Sequence, residues 1–295
     1  MKALFWNIGK KLTDKKKELI SEALATELPD IFCIAEGTTS AEKCQTIVDL
    51  LGEHDYTCYY SPLFVRDPAL KLDYDYKPQG LKIFYRKDKI VVTPFTFSYQ
   101  REMGRIIVLK ATESYKETTY IFLHNLSKSG NAEVTYNQSD FISNLRGMIS
   151  IGKITSDTEK VDNMGERVVI MGDFNLEPWD SILKLKRFLT TSFFQMHNAI
   201  HQRKRDDEKY FFNPSVELIL NSDVANLGGT FYSDTSGWAL YDFVLFDTKD
   251  VKATYKILTE FKDGHKLLNY DNTIVNSFLN HELDHLPIVV EIDNK

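Results

Sequence analysis

Short apolar runs rich in Val, Ile, Phe and Tyr recur along the whole chain, and their length and composition predict strands. They span Ala3 to Trp6, Ile31 to Ala35, Tyr56 to Tyr60, Leu81 to Tyr85, Ile106 to Leu109 and Tyr120 to Leu123. The series resumes with Val168 to Met171, Phe243 to Phe246, Ala253 to Leu258 and Ile288 to Ile292. Three segments show helical spacing instead. Thr13 to Glu27 repeats Leu19, Ile20, Ala23 and Leu24; Ser40 to Leu51 repeats Cys44, Ile47, Val48 and Leu51 behind Ser40, a cap candidate. Asn137 to Ile154 places Phe141, Leu145, Met148 and Ile149 on one face. These helices stand between sets of strands rather than after every strand. That order predicts an α/β (α+β) fold with two mixed sheets covered by helices, not a doubly wound parallel sheet.

No repeat and no Gly/Ser- or Pro-rich linker divides the chain, so residues 1–295 are expected to form a single domain. Arg66 to Gln79 and Met196 to Lys209 fit neither periodicity and read as surface excursions. The second holds His197, His201 and the run from Arg203 to Glu208, readable as a substrate-contacting loop or as a solvated charge run.

Composition narrows the class. With 43% hydrophobic and 26% charged residues and 8 prolines, the chain has material for a core and little resemblance to a disordered segment. The formal net charge of -6 argues against broad, non-specific affinity for duplex DNA, but a metal site needs local acidity, so a nuclease stays open. Cys33, Cys44 and Cys58 contain no C-x-x-C pair and suit neither a disulfide framework nor a thiolate zinc site. The apolar start is too short for a secretory signal, and no run is long enough to span a membrane, so a cytoplasmic protein is expected.

Chemistry enters at strand ends. Val168-Val169-Ile170-Met171-Gly172-Asp173-Phe174-Asn175 is a buried strand that stops at a glycine and then presents a carboxylate and an amide two residues apart. Residues at that spacing can face one side of an extended backbone. Asp173 could then orient a water and Asn175 could donate to an oxygen, although a strand-end Asx turn would use the same residues. Near the end of the chain, Asp284-His285 precedes an apolar strand and offers a hard oxygen ligand beside an imidazole.

Four further elements complete an order that resembles the endonuclease/exonuclease/phosphatase superfamily, in its deoxyribonuclease I-like form. Leu4-Phe5-Trp6-Asn7-Ile8 is similar to its opening strand, and Ile31-Phe32-Cys33-Ile34-Ala35-Glu36 to the strand that delivers its metal carboxylate. Ile121-Phe122-Leu123-His124-Asn125 resembles a strand-end histidine segment. Gly229-Thr230-Phe231, Trp238 and Tyr241-Asp242-Phe243-Val244-Leu245 resemble its late strand. Two positions depart from the pattern: Ala35 where glutamine often precedes the metal glutamate, and Leu283 where serine usually precedes Asp-His. No clean counterpart exists for the glutamate that partners the strand-end histidine in deoxyribonuclease I.

The resemblance implies a four-layer sandwich of two mainly antiparallel sheets flanked by helices, and a Mg²⁺- or Mn²⁺-dependent hydrolase of phosphodiesters. Glu36, Asn7 and Asp284 would hold the metal. Asp173 would activate water, Asn175 would fix its geometry, and His285, oriented by Asp242, would contact the phosphate, with His124 opposite. A nucleic acid is the leading expectation for the substrate, with Arg66, Lys71, Lys77, Lys82, Arg101, Arg105, Lys128 and the Arg203 to Arg205 run as candidate contacts beside Tyr74, Tyr76 and Tyr99. A phosphatase or phospholipid phosphodiesterase using the same centre is the alternative, and a binding protein that has lost catalysis is a third reading.

Overall fold

The computed structural model describes residues 1–9, 11–37, 41–59, 80–94, 105–127, 138–145, 167–184, 191–192, 211–215, 227, 229–247, 253–262, 264–271, 274–278 and 283–293. In chain order its strands are β1 (Lys2–Asn7), β2 (Ile31–Ala35), β3 (Thr57–Tyr59), β4 (Leu81–Tyr85), β5 (Val91–Pro94), β6 (Ile106–Glu113), β7 (Lys116–His124) and β8 (Val168–Asp173). They continue with β9 (Thr191–Ser192), β10 (Phe211–Phe212), β11 (Phe231–Ser233), β12 (Gly237–Ala239), β13 (Asp242–Asp247), β14 (Ala253–Ile257), β15 (Leu268–Asp271), β16 (Ile274–Phe278) and β17 (Ile288–Ile292).

One sheet has the order β14-β17-β1-β2-β4-β3 and the other β5-β6-β7-β8-β13-β10-β9, with β11-β12 and β15-β16 as separate two-stranded pairs. Pairing is parallel at β1/β2, β7/β8 and β9/β10 and antiparallel elsewhere, so both large sheets are mixed and mainly antiparallel, as expected. The sheets pack face to face. Ala3, Phe5, Cys33, Ala35 and Ile83 of one meet Leu109, Phe122, Met171 and Val244 of the other in the central core.

The opposite faces are covered as well, which explains why β1, β2 and β8 read as continuous apolar runs rather than alternating ones. Leu4, Trp6, Phe32 and Ile34 pack with Leu19, Ile20, Ala23 and Leu24 of helix α1 (Asp14–Glu27) and Ile47 and Leu51 of helix α2 (Ala41–Gly52). On the far side Ile121, Leu123, Ile170 and Leu245 pack with Phe141 and Leu145, which lie in a helical segment at 138–145. The result is the expected four-layer α+β sandwich.

Helix α1 starts where the predicted segment does. Thr13 is its N-cap, accepting a hydrogen bond from the Lys16 amide, and Leu28 ends it in a left-handed conformation. Ser40, Met148 and Ile149 lie outside the described residues, as do Tyr60 and the two predicted surface excursions with His197 and His201. None of the three cysteines is in a disulfide. Among the described residues, no helix is long and apolar enough to cross a membrane.

The β6–β7 hairpin is longer than its apolar runs suggest. The strands pair out to Glu113 and Lys116, and the two residues between them, Ser114 and Tyr115, both have positive φ (50° and 68°). Tight two-residue turns of that kind usually carry Asn-Gly, so Ser-Tyr sends no turn signal.

Candidate functional site

The predicted residues converge because strands from both sheets end on the same side of the sandwich. Asn7 closes β1, Glu36 follows β2, His124 closes β7, Asp173 closes β8 and Asp242 opens β13. The register enforces this: Asn7 lies opposite Ala35, His124 opposite Asp173, and Asp173 opposite Asp242. His285 joins them through an isolated bridge to Phe231. Strained backbone gathers here too, with Glu36 (φ 62°) and Asn175 (φ 49°) both left-handed without being glycine.

Gly172 has a steric reason to precede the aspartate. Its φ is +152°, and a Cβ there would lie 2.0 Å from the Leu123 carbonyl oxygen on the neighbouring strand. Only a glycine lets β8 approach β7 closely enough to set Asp173 beside His124.

Asp173 is the hub. Its Oδ2 accepts from Asn7 Nδ2 at 3.0 Å, and its Oδ1 accepts from the Asn175 backbone N–H at 2.8 Å. His124 Nε2 lies 3.7 Å from Asp173 Oδ2 and 3.6 Å from Glu36 Oε1, so the imidazole stands between the two carboxylates. His285 Nδ1 donates to Asp242 Oδ2 at 2.8 Å, which leaves Nε2 facing Asn7 Nδ2 at 3.5 Å and Asp173 Oδ2 at 3.9 Å. A ring nitrogen anchored on one side by a carboxylate presents the other to a reacting group in a defined orientation.

Several residues of this frame send a weaker signal in the sequence. Thr230 is fully buried, and its Oγ1 accepts from both the Tyr241 and Asp242 amides, fixing the start of β13. Asn125 is also fully buried; its Nδ2 donates to the Phe174 carbonyl, and its own carbonyl accepts from Asn175 Nδ2 at 3.0 Å. Trp6 Nε1 donates to the His285 carbonyl at 3.1 Å, and the Phe231 ring lies 4.8 Å from the imidazole. For Asn125 the available cue was a polar doublet, His124-Asn125, after an apolar strand, in the same style as Asp173 and Asn175.

Burial and the neighbouring Asp242 carboxylate push the Asp173 carboxyl up to about 7, against the opposing pull of His285, the Asn175 amide and Asn7. Burial favours a neutral His285 ring, but Asp242, by charge and hydrogen bond, together with Asp173 and Asp284, outweighs it and raises the imidazole to about 10. Both groups therefore hold protons more tightly than usual.

Two kinds of position could take a cation. Ligand atoms of Asp173, Asp242 and His285 lie within 4.8 Å of one another. That trio is already joined by the His285–Asp242 bond. The expected metal residues Glu36 and Asp284 stand outside it. Glu36 is 14% exposed at its side chain and meets His124, whereas Asp284 Oδ1 lies 3.1 Å from the point a Cβ on Gly9 would occupy. Asp284 Oδ1 is buried with no hydrogen-bond partner, and Asp242 Oδ1 is likewise unpartnered. Orphaned carboxylate oxygens fit a site that binds a hard cation. Asn7 Oδ1 accepts from the Gly9 N–H at 3.0 Å, and its second lone pair remains for such an ion.

Of the cations expected to meet a polyanion, two are described and both turn inward. Lys82 is buried and donates to the Gly80 and Glu36 carbonyls at 2.8 and 3.4 Å. Arg105 Nη1 donates to the His124 and Asn125 carbonyls at 3.0 and 3.2 Å. They brace the strand ends. The remaining candidates, Arg66, Lys71, Lys77, Arg101, Lys128 and Arg203 to Arg205, with Tyr74, Tyr76 and Tyr99, lie outside the described residues.

Comparison with known proteins agrees with this architecture. Among solved structures, TDP2 of D. rerio complexed with a single-strand DNA product is similar at a TM-score of 0.57, with 12% identity, over 100% of this chain and 99% of that one. The 3′ phosphatase NExo from Neisseria, bound to a product DNA hairpin, gives 0.54 and 15% identity over 99% of each chain. A mannosyl-6-phosphatase of Bacteroides thetaiotaomicron gives 0.55 and 13% identity, again over 99% of each. At these identities the likeness concerns the fold. A search of curated protein sequences finds no match. The model of the endonuclease/exonuclease/phosphatase family, whose members are generally phosphoester hydrolases, matches residues 4–257, and the chain belongs to that family.

Proposed function

We propose that the protein is a divalent-metal-dependent phosphodiesterase and that its substrate is a nucleic acid. The observation that carries the reading is the chain Asp242–His285 facing Asp173 and Asn7 across the ends of two sheets, with Glu36 and His124 alongside. Phosphodiester cleavage builds negative charge on non-bridging and leaving oxygens and needs an oriented water. A Mg²⁺ or Mn²⁺ ion held by Glu36, with Asn7 and Asp284 directly or through water, would supply Lewis-acid polarisation of the phosphate.

The rest falls to the protein's own groups. Asp173 orients the attacking water and accepts its proton; a carboxyl raised towards neutrality is well matched to that task. Asn175, held by the Asn125 carbonyl, fixes the water's position. His285 Nε2 contacts the scissile phosphate while Asp242 holds the ring, and His124 contacts it from the side of Glu36. The DNA products bound to two of the similar structures support a nucleic-acid substrate. Residues from 7 to 285 contribute, which supports a single domain over 1–295. The absence of disulfides at the three cysteines fits a cytoplasmic location.

The test is hydrolysis of labelled single-stranded and duplex DNA, RNA, inositol phosphates and sugar phosphates with Mg²⁺, Mn²⁺ or EDTA. Metal-dependent cleavage of a polynucleotide is expected, falling by about 10²–10⁴-fold in Asp173→Asn and in His285→Ala with the fold retained by circular dichroism. Turnover confined to monoesters would move the assignment to a phosphatase. Normal turnover in either variant would remove that residue from the scheme.

A further inference from the structure

Lys16 lies in a run of three lysines at the start of α1, and its two neighbours behave as surface residues. Lys15 pairs with Glu18 and Lys17 with Asp14, both lysine side chains 35% exposed. Lys16 is 5% exposed, and its ammonium donates to the Ile8 carbonyl, in the turn that leaves β1 directly after Asn7. Burying an ammonium is costly unless something nearby answers its charge.

A carboxylate lies close by, across Gly9. That residue has φ +68°, and a Cβ on it would sit 3.3 Å from Lys16 Nζ and 3.1 Å from Asp284 Oδ1. The ammonium and the carboxylate thus border one wedge of space that the glycine keeps open. Asp284 Oδ1 receives no hydrogen bond there. The same turn is tied to the site on two further sides: Gly9 N–H donates to Asn7 Oδ1, and the Gly9 carbonyl accepts from Gly37 N–H, next to Glu36.

We infer that Lys16 is a positioning residue and a built-in monovalent cation of the metal site: it pins the Asn7–Gly9 turn through Ile8 and offsets part of the charge of Asp284. The inference rests on the metal-dependent reading above. It goes further in assigning to the protein itself a share of the positive charge that the carboxylates require. Removing that charge leaves the site more anionic, so a divalent ion should bind more tightly although the metal-free protein is less stable.

The experiment compares wild type with Lys16→Met, which keeps the stem and loses the charge, and with Lys16→Arg, which restores the charge. Mn²⁺ binding is measured by calorimetry and melting temperature in EDTA and in Mn²⁺. Lys16→Met should melt below wild type in EDTA, bind Mn²⁺ on the order of tenfold more tightly, and gain more in melting temperature when Mn²⁺ is added. Lys16→Arg should return the affinity towards the wild-type value. If Lys16→Met does not fold, Lys16→Gln carries the same readouts. Equal or weaker Mn²⁺ binding by the uncharged variant, with wild type still binding, would overturn the inference alone. No Mn²⁺ binding by any of the proteins would overturn it together with the metal dependence.

Discussion

Asp173 and Asp242 face each other across β8 and β13 with His285 alongside, and the arrangement should cost the metal-free protein stability as pH rises. Asp173 holds its proton up to about 7 in the folded state, against 3.8 ordinarily. Its contribution to stability is therefore full below about pH 4 and is lost as pH climbs through about 7. His285 adds a loss in the same direction, complete only as pH passes about 10. In Asp173→Asn the first loss disappears. Thermal melts in EDTA should then show the variant gaining on wild type between pH 5 and pH 8, even as its hydrolysis falls by the factor expected above. A gap between the two proteins that stays constant over that interval would show that Asp173 is not held protonated. Residues of this kind were legible in the sequence because each is a polar group ending or beginning an apolar run, as Asn7, Glu36, His124 and Asp242 all are. Lys16 was not. Inside Lys15-Lys16-Lys17 it looks like part of a solvated face, and only the path of β1 past α1 turns it inward.

Strand ends position these groups, so the elements answer for the precision of the site. Gly172 is the sharpest case. A Gly172→Ala substitution places a methyl against the Leu123 carbonyl and forces β7 and β8 apart; it should cost about 3 kcal/mol and lower the melting temperature by roughly 5–10 °C. Hydrolysis should fall as well, because Asp173 is the next residue. Full activity at unchanged stability would mean the backbone can relax, contrary to the packing on both sides of these strands. The long strands and α1 were readable from apolar runs and helical spacing. The short pairs β9/β10 and β11/β12 were not, since two or three residues cannot display a period, and β11 and β12 are only half-buried. The β6–β7 turn was hidden by Ser114 and Tyr115, which adopt positive φ without the residue types that advertise it.

The site belongs to neither sheet alone. β1 and β2 bring Asn7 and Glu36 from one, β7, β8 and β13 bring His124, Asp173 and Asp242 from the other, and the central core holds the two in register. Phe122 is fully buried in that core, two residues before His124. Phe122→Leu should cost about 1–2 kcal/mol and lower turnover about tenfold with little change in KM, because small displacements of positioned groups are expensive in catalysis. Unchanged turnover in a measurably destabilised variant would show that the sheets keep their alignment without it. Convergence of this sort was anticipated from the order of motifs; its distances depend on side-chain packing between layers that no local pattern encodes. The pairing of β1 with β17 has a further consequence, in time rather than space. Phe5 lies opposite Ile288, so β1 waits for a strand made much later. At roughly 5–20 residues per second on a ribosome, β1 spends on the order of tens of seconds with one edge unpaired. Until β17 docks, the imidazole of His285 has no place beside Asp242 and Asp173, so on the proposed mechanism a growing chain should not hydrolyse substrate.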